Sequence, residues 1–534
     1  MFQESEKTNQ TDMWKDPRLE MGKRAREIFD NSEGWHNRFR REVTNQIDEG
    51  IFKPLFSAGM GAPNAPIRIL VAMMALKEGQ GISDEHLYEE ARFNALTRSA
   101  LGLVNSDDEV PVESTYYLLR QKIVEYAETS GKNLLEEVFE QITKGQCKEY
   151  GVSGKRIRMD SKLLGSNIGW YSRYRIVHET IRKYCIANEI QELDGEEREQ
   201  LAAVLFEKAE AVTYRNTKDE VQRRLEGLGA VIYRLLRVYG AEGNKEYGLL
   251  KRVFEEQYEV VSGVGGGKKK RVKLREKGEI KGKSVQNPHD QDSEYRDKGG
   301  NKVKGYSVNV TETCDEGKLN LIVGIQTEGC GTADVEYLQE GLQKAQEVVT
   351  EKIEEVYTDG AYHSPENQEY CKEKGIDWTL RGIQGKPSKY DLSDDEEGNL
   401  VVVNRESGER LDAKRSKSRN PKAPERWVIK DGENRPIYFE KKDVKTCELR
   451  KRLEGIPKER LDIRNNVEAT IFQVGYHYRG DKSQYRGLEK HLMWGVSRSI
   501  WVNFRRIQLW SIRKAREMVE SVIKIVNEPV ITTV

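Results

Sequence analysis

The sequence predicts an α/β fold: a mixed sheet with helices, preceded by a helical N-terminal domain and interrupted by two insertions. Three observations predict it. The segment KRIRMDS, 155–161, alternates Ile157 and Met159 with Arg158 and Asp160, the period of two expected of a strand. GYSVNVTETC (305–314) and KLNLIVGIQTEG (318–329) are strand-like and separated by a short polar turn, as in a hairpin. The helical YLQEGLQKAQEVVTEK (337–352) is followed by EEVYTDGAYHS (354–364), which reads as a strand ending at Asp359.

Residues 14–145 read as helices and are expected to form a DNA-binding or dimerisation domain. Within 67–103 the pattern is a buried helix, a Gly-rich turn and a second helix. Ser83 is its N-cap, and Asp84 and Glu85 stand in the first turn, where the helix dipole favours acids. A further helix starts at Ser114, with Leu118, Leu119, Ile123 and Tyr126 as its apolar side. After the strand at 155–161 the chain turns helical again, and 171–283 reads as a helical insertion ending in a basic linker. Val221, Leu225, Leu228, Ile232, Leu235 and Tyr239 form one stripe, either packed on its own domain or paired in a coiled coil; Gly227 and Gly229 weaken that helix. The stretch 263–283 is glycine-rich, then basic from Lys268 to Lys283, and reads as a solvated linker or as an arm on the DNA backbone. Residues 386–455 break the pattern, with an acidic run from Asp391 to Glu397 and a basic run at 415–426, and read as an irregular, partly β insertion. The segments 150–170, 284–385 and 456–530 are thereby left as one core.

The chain has 534 residues, more than one ordinary core needs. Hydrophobic residues make up 37% and charged residues 33%, and the aromatic content of 8% is enough for packed cores, which argues against wholesale disorder. With 89 basic and 89 acidic side chains the net charge is zero, so any nucleic-acid contact must come from local basic grooves. None of the six cysteines forms a Cys-x-x-Cys pair, so neither a disulfide framework nor a zinc site is expected, and a reducing cytoplasm is the default. The polar N-terminus has no signal-peptide core, and no stretch is apolar enough to span a membrane.

Asp160 and Asp359 end strands, and Glu468 stands near the start of a helix. Cutting a phosphodiester needs an activated water or hydroxyl and a stabilised leaving oxygen, and two divalent ions about 4 Å apart supply both. Hard cations such as Mg²⁺ want oxygen ligands, so a few carboxylates suffice. Without metal, three converging carboxylates repel one another and one tends to take up a proton. In a chain with 89 acids, residue types alone do not single out these three.

Four blocks do. RMDSKLLGSNI (158–168), NPHDQDSEYRDKGGNKVKGYSVNVTETC (287–314), YTDGAYHS (357–364) and RNNVEATIFQVGYHYRGDKSQYRGLEKHLMWG (464–495) follow one another in order, and 54–120 adds a helical block before them. Together they resemble bacterial insertion-sequence transposases of the DDE class. The resemblance implies a ribonuclease H-like mixed sheet, with Asp160, Asp359 and Glu468 as catalytic metal ligands. It implies a two-metal Mg²⁺ site in which Mn²⁺ can substitute. It also implies DNA strand cleavage at element ends and strand transfer into target DNA. The expected partners are terminal inverted repeats and target DNA, with a homodimer on the DNA, in a cytoplasmic, nucleoid-associated setting. Arg464, Tyr485, Arg486, Lys490, Lys298 and Lys304 are the expected DNA contacts. The alternative is a transposase-derived DNA-binding protein without catalysis.

The chain departs from the wider signature Tyr-x2-Arg-x3-Glu-x6-Lys around Glu468. Arg464 fits it, but Leu461 stands for the Tyr and Gly475 for the Lys, leaving the phosphate contact to Lys482, Arg486 or Lys490. The first block reads Asp-Ser-Lys, with Lys162 where many relatives have Thr. Asp334 reads as a helix cap ahead of a carboxylate standing behind the site, and Trp494 and Trp501 as core residues ahead of a stacking platform for an unpaired base; Arg479, Arg498, Arg505 and Arg506 are expected to make the last region a basic, DNA-facing surface.

Overall fold

The computed structural model describes residues 1–5, 11–57, 59, 61–195, 197–240, 243–262, 270–382, 388–395, 399–416, 425–430, 436–475 and 479–527. Lys268, Lys269, Glu396, Glu397 and most of the basic run at 415–426 lie outside them.

The central sheet has six strands: β1 (Arg156–Gly165), β2 (Glu294–Lys298), β3 (Asn301–Thr313), β4 (Ile322–Gly329), β5 (Glu355–Asp359) and β6 (Asp377–Arg381). β3 lies antiparallel to β1, and both β2 and β4 pair with the far edge of β3. β5 runs parallel to β1 and β6 parallel to β5. This is the mixed sheet expected, with one difference. Asp160 does not end its strand: β1 continues to Gly165 because β3 offers an unbroken antiparallel edge, pairing Ile157 with Thr313 through to Gly165 with Gly305. What ends near Asp160 is the parallel neighbour, whose last pairing with β1 is Arg158 with Tyr357.

Alternation along the strands assigns the faces. Ile157 and Met159 are buried in a core with Leu338, Leu342 and Ala345 of the helix Leu338–Val348. Leu164, Val308 and Val310 face the other way, into a second core. That core is shared with the N-terminal helices: Phe39, Leu70, Met73, Leu76, Leu135 and Phe139 pack in it with Val496, Ile500 and Phe504. Three helices meet there, here α1 (Ile67–Gln80), α2 (Asn466–Gly475) and α3 (Leu488–Asn527). Trp494 is buried in this core, and Trp501 packs against Phe39 and Phe504. Gly79 is needed for that approach: a Cβ there would stand 2.2 Å from the Trp501 ring.

Ser83 caps its helix by accepting from His86 N–H at 3.1 Å. In the helix Glu113–Ser130 the buried positions are Tyr116, Leu119, Ile123 and Ala127, so Leu118 falls on the exposed side. The stripe in the first insertion stays at home. Leu225, Leu228, Ile232 and Leu235 of Lys218–Val238 are buried against Val177, Ile181, Leu250 and Val253. Gly229 serves that packing, because a Cβ there would meet the Tyr258 ring at 2.6 Å. Part of the basic stretch is a strand rather than a linker, Lys270–Leu274 pairing with Tyr258–Ser262. The second insertion is ordered into two three-stranded antiparallel sheets and the helix Lys441–Glu454 around Leu392, Val402, Trp427 and Phe439. Among the described residues no helix is long and apolar enough to cross a membrane.

Candidate active site

Asp160 and Asp359 point to the same side of the sheet. Arg158 pairs with Tyr357, and Asp160 and Asp359 follow two residues later on their parallel strands. β5 ends at Asp359, whose Oδ1 accepts from Ala361 N–H at 2.8 Å and so opens a tight turn. Glu468 comes down on the same side from the first turn of α2, where an acid is favoured by the helix dipole. The turn just before α2 supplies Arg464. Its guanidinium donates to Asp160 Oδ2 at 2.9 Å, and lies 4.0 Å from Asp359 and 3.6 Å from Glu468. All three acids therefore gather on one cation, and exposure rises along the series: 14% for the Asp160 side chain, 30% for Asp359 and 66% for Glu468.

Burial dominates at Asp160 and pushes its carboxyl up to about 6. Asp359 and Asp334 add to the rise, while Arg464 and the Ser161 N–H oppose it. For Asp334 the structure favours the second of its two sequence readings, a carboxylate behind the site, over the helix cap. Asp334 is buried, and its Oδ1 accepts from the Ser161 hydroxyl at 2.7 Å beside Asp160. Tyr362 was missed by sequence reasoning. It is fully buried, its hydroxyl donates to Asn309 Oδ1 at 2.6 Å, and its phenol is raised first by that burial and then by Asp160, Asp334 and Asp359. Its place three residues after Asp359 was the available signal.

The sequence matches two families. Residues 27–122 match one described as Transposase domain (DUF772), and residues 273–527 match Transposase DDE domain. The chain belongs to the insertion-sequence DDE transposases. No curated protein and no solved structure matches it significantly. The DDE match begins at residue 273, after β1, so Asp160 lies outside the matched segment and is brought beside Asp359 by the sheet. Transposases act on DNA, and polynucleotidyl transfer with divalent ions is general to the DDE family.

Around this site the transposase distributes its expected DNA contacts unevenly. Arg464 is inside the carboxylate group. Arg486 and Lys490 are exposed, and Arg486 Nε donates to Asn167 O at 2.6 Å. The Tyr485 hydroxyl is engaged by Lys77 Nζ at 2.8 Å and by Glu78, at the seam with α1. Lys298 is exposed at the β2–β3 turn, whereas Lys304 is half-buried with its ammonium 5.1 Å from the Trp170 ring centre, and burial lowers its pKa. The Ser166–Asn167 backbone joins these groups, donating to Lys304 O and Tyr485 O. Asp290, from the second block, is buried and accepts from the Ser166 and Tyr306 hydroxyls, so it holds the end of β1.

Two arginines expected on the DNA-facing surface are structural instead. Arg498 is buried and donates to Glu78 O, Gly79 O, Val474 O and Gln473 O. It thus satisfies the last carbonyls of both α1 and α2, where a cation is also favoured by the dipoles. Arg506 donates to Glu312 and Thr470. The Arg479 side chain lies outside the described residues.

The raised Asp160 carboxyl has a consequence for stability. Its folded value of about 6 lies above the ordinary 3.8, so the folded state binds more protons between the two. Ionising Asp160 then costs stability as pH rises from about 4 to about 6, and the cost is full above that. Asp160→Asn is expected to melt higher than the metal-free wild type at neutral pH, with the gap closing as pH falls through this window. Thermal melts in chelator across the pH series check it; a gap independent of pH would refute the assignment.

Proposed function

We propose that this transposase cuts DNA at the ends of its element and joins the freed 3′ hydroxyl to target DNA, with Asp160, Asp359 and Glu468 as ligands of a two-metal Mg²⁺ site in which Mn²⁺ substitutes. One observation carries the reading: carboxylates from two strands and a helix, distant in sequence, meet around the single guanidinium of Arg464.

The donor set fits the ion. Three carboxylates offer hard oxygen ligands, as Mg²⁺ prefers, and their mutual repulsion calls for more positive charge than one arginine brings. Among the described residues no ready-made group of three or more ligating side chains is formed, and Arg464 occupies the space between the acids. When bound, the ions supply an activated water or hydroxyl and stabilise the leaving oxygen. The chain's own residues do the positioning. Strands fix Asp160 and Asp359, with the Ser161 N–H and Arg464 orienting the Asp160 oxygens. Glu468, the most exposed, sits on the first turn of α2 and can adjust toward substrate. Arg486, Lys490 and Lys298 are exposed to meet phosphates, and Lys304 lies close to that surface. Tyr485 holds the 485–490 segment against α1. Two ends must be held together for transposition, so a homodimer on the terminal repeats is the working assembly.

The test is to incubate the protein with labelled DNA from the borders of its own gene, with Mg²⁺, with Mn²⁺ and with chelator. Metal-dependent cleavage at a defined border is expected. Binding without cleavage in either metal would instead assign the chain to the non-catalytic DNA-binding class.

A further inference from the structure

Two positions at which this chain differs from many of the proteins it resembles, Lys162 in β1 and Gly475 at the end of α2, fall against one another. A side chain built at 475 would begin 3.3 Å from the Lys162 ammonium. We infer that Lys162 is a DNA-phosphate contact of the active site, holding the cleaved strand beside the carboxylates; this rests on the function proposed above.

Position comes first. Residues two apart on a strand share a face, so Lys162 stands on the Asp160 side, about 7 Å further along β1. Gly475 ends α2 seven residues after Glu468, which places it about 10 Å along the helix from that acid. Lys162 therefore stands one strand repeat from Asp160, and its ammonium lies beside the end of α2, about 10 Å along that helix from Glu468. At an axial rise of about 3.4 Å per nucleotide, this reaches a phosphate within roughly three nucleotides of the scissile one.

The availability of the charge comes second. Arg464, the other cation of the site, is only 13% exposed and is committed to Asp160. Lys162 is 29% exposed, and its partner is Asp481 at 2.6 Å, whose side chain is 55% exposed. An ion pair with so exposed a carboxylate is weak, because water screens it, so a phosphate can displace Asp481 at little cost. The absence of a side chain at 475 leaves the ammonium room beside the helix end, where the dipole also favours a cation. Lys482, the alternative read from the sequence, instead donates to Ile168 O at 3.3 Å.

The experiment measures binding in chelator, so it does not depend on cleavage. Border duplexes carry one neutral methylphosphonate at each successive position around the cut. In the wild type one position within about three nucleotides of the cut is expected to weaken binding. In Lys162→Ala, binding weakens overall and the dependence of log affinity on log salt falls by about 0.9. The same methylphosphonate then adds no further loss, the signature of a broken pairwise contact. Lys162→Arg is expected to keep the wild-type pattern. Lys162→Met, which retains the apolar stem, serves if the alanine variant melts early. A methylphosphonate profile in Lys162→Ala or Lys162→Met that matches the wild type at every position would overturn the inference and leave the proposed function standing. Failure of the wild type to bind border DNA would overturn both.

Discussion

Asp359→Ala is expected to abolish border cleavage while leaving the fold close to intact. The Asp359 side chain is 30% exposed and makes one short contact, accepting from Ala361 N–H, with Arg464 4.0 Å away. Losing a turn-capping hydrogen bond costs about 1 kcal/mol, and relief of the repulsion with Asp160 offsets part of it. A metal ligand, by contrast, supports several kcal/mol of transition-state stabilisation, so cleavage should fall by roughly 10³-fold or more. Because Asp359 helps raise the Asp160 carboxyl, that carboxyl should also titrate lower in the variant. Cleavage rates and melting curves on the same preparation separate the two effects. Cleavage that survives the substitution would remove Asp359 from the ligand set.

The opposite balance is expected of Glu312→Ala. Glu312 lies in β3 opposite Arg158 and is fully buried. It accepts from Arg158 Nε at 2.6 Å, Arg506 Nη1 at 2.6 Å and the Thr470 hydroxyl at 2.7 Å. Arg158 also donates to Ile463 O, the residue before Arg464, and Thr470 is two residues beyond Glu468. One buried carboxylate therefore ties β1 and α3 to the helix that carries the third acid. Removing it strands two guanidinium groups in a nearly dry site, a loss on the order of 3–5 kcal/mol. The melting temperature should drop clearly, and Glu312→Gln, which keeps the shape and some hydrogen bonds, should fall in between. Cleavage should decline even below the melting transition, because the Glu468 end of α2 loses its tie to β1 and α3 while only its C-terminal end stays held by Arg498. An alanine variant as stable as the wild type would show that the network does not hold the helix.

These two sites illustrate why some residues were legible in the sequence and others were not. Asp160, Asp359 and Glu468 stood in blocks with recognisable neighbours. Glu312 did not: it lies in a strand buried on both faces, beside Tyr306, Val308 and Val310 on its own face, and nothing local says that a carboxylate there has two arginines waiting for it. Asp334 reads as a cap from its place before a helical pattern; its hydroxyl partner, Ser161, is far away in sequence. Arg498 and Arg506 looked like surface charge because a run of basic residues carries no information about which carbonyls or carboxylates face it.

By itself the sequence determined the α/β class, four of the six central strands and the three candidate acids; Glu294–Lys298 and Asp377–Arg381 carried no strand pattern of their own. Those follow from local periodicity and short motifs, which act over a few residues. Tertiary structure alone decided that Asp160 lies mid-strand, because the partner strand β3 sets where β1 ends. It decided that the N-terminal helices share a core with the sheet, and that Arg498 and Glu312 are internal. It also set Lys162 against Gly475. Each of these depends on a partner distant in the chain, and burial of a charge is settled by what packs against it rather than by its neighbours in sequence.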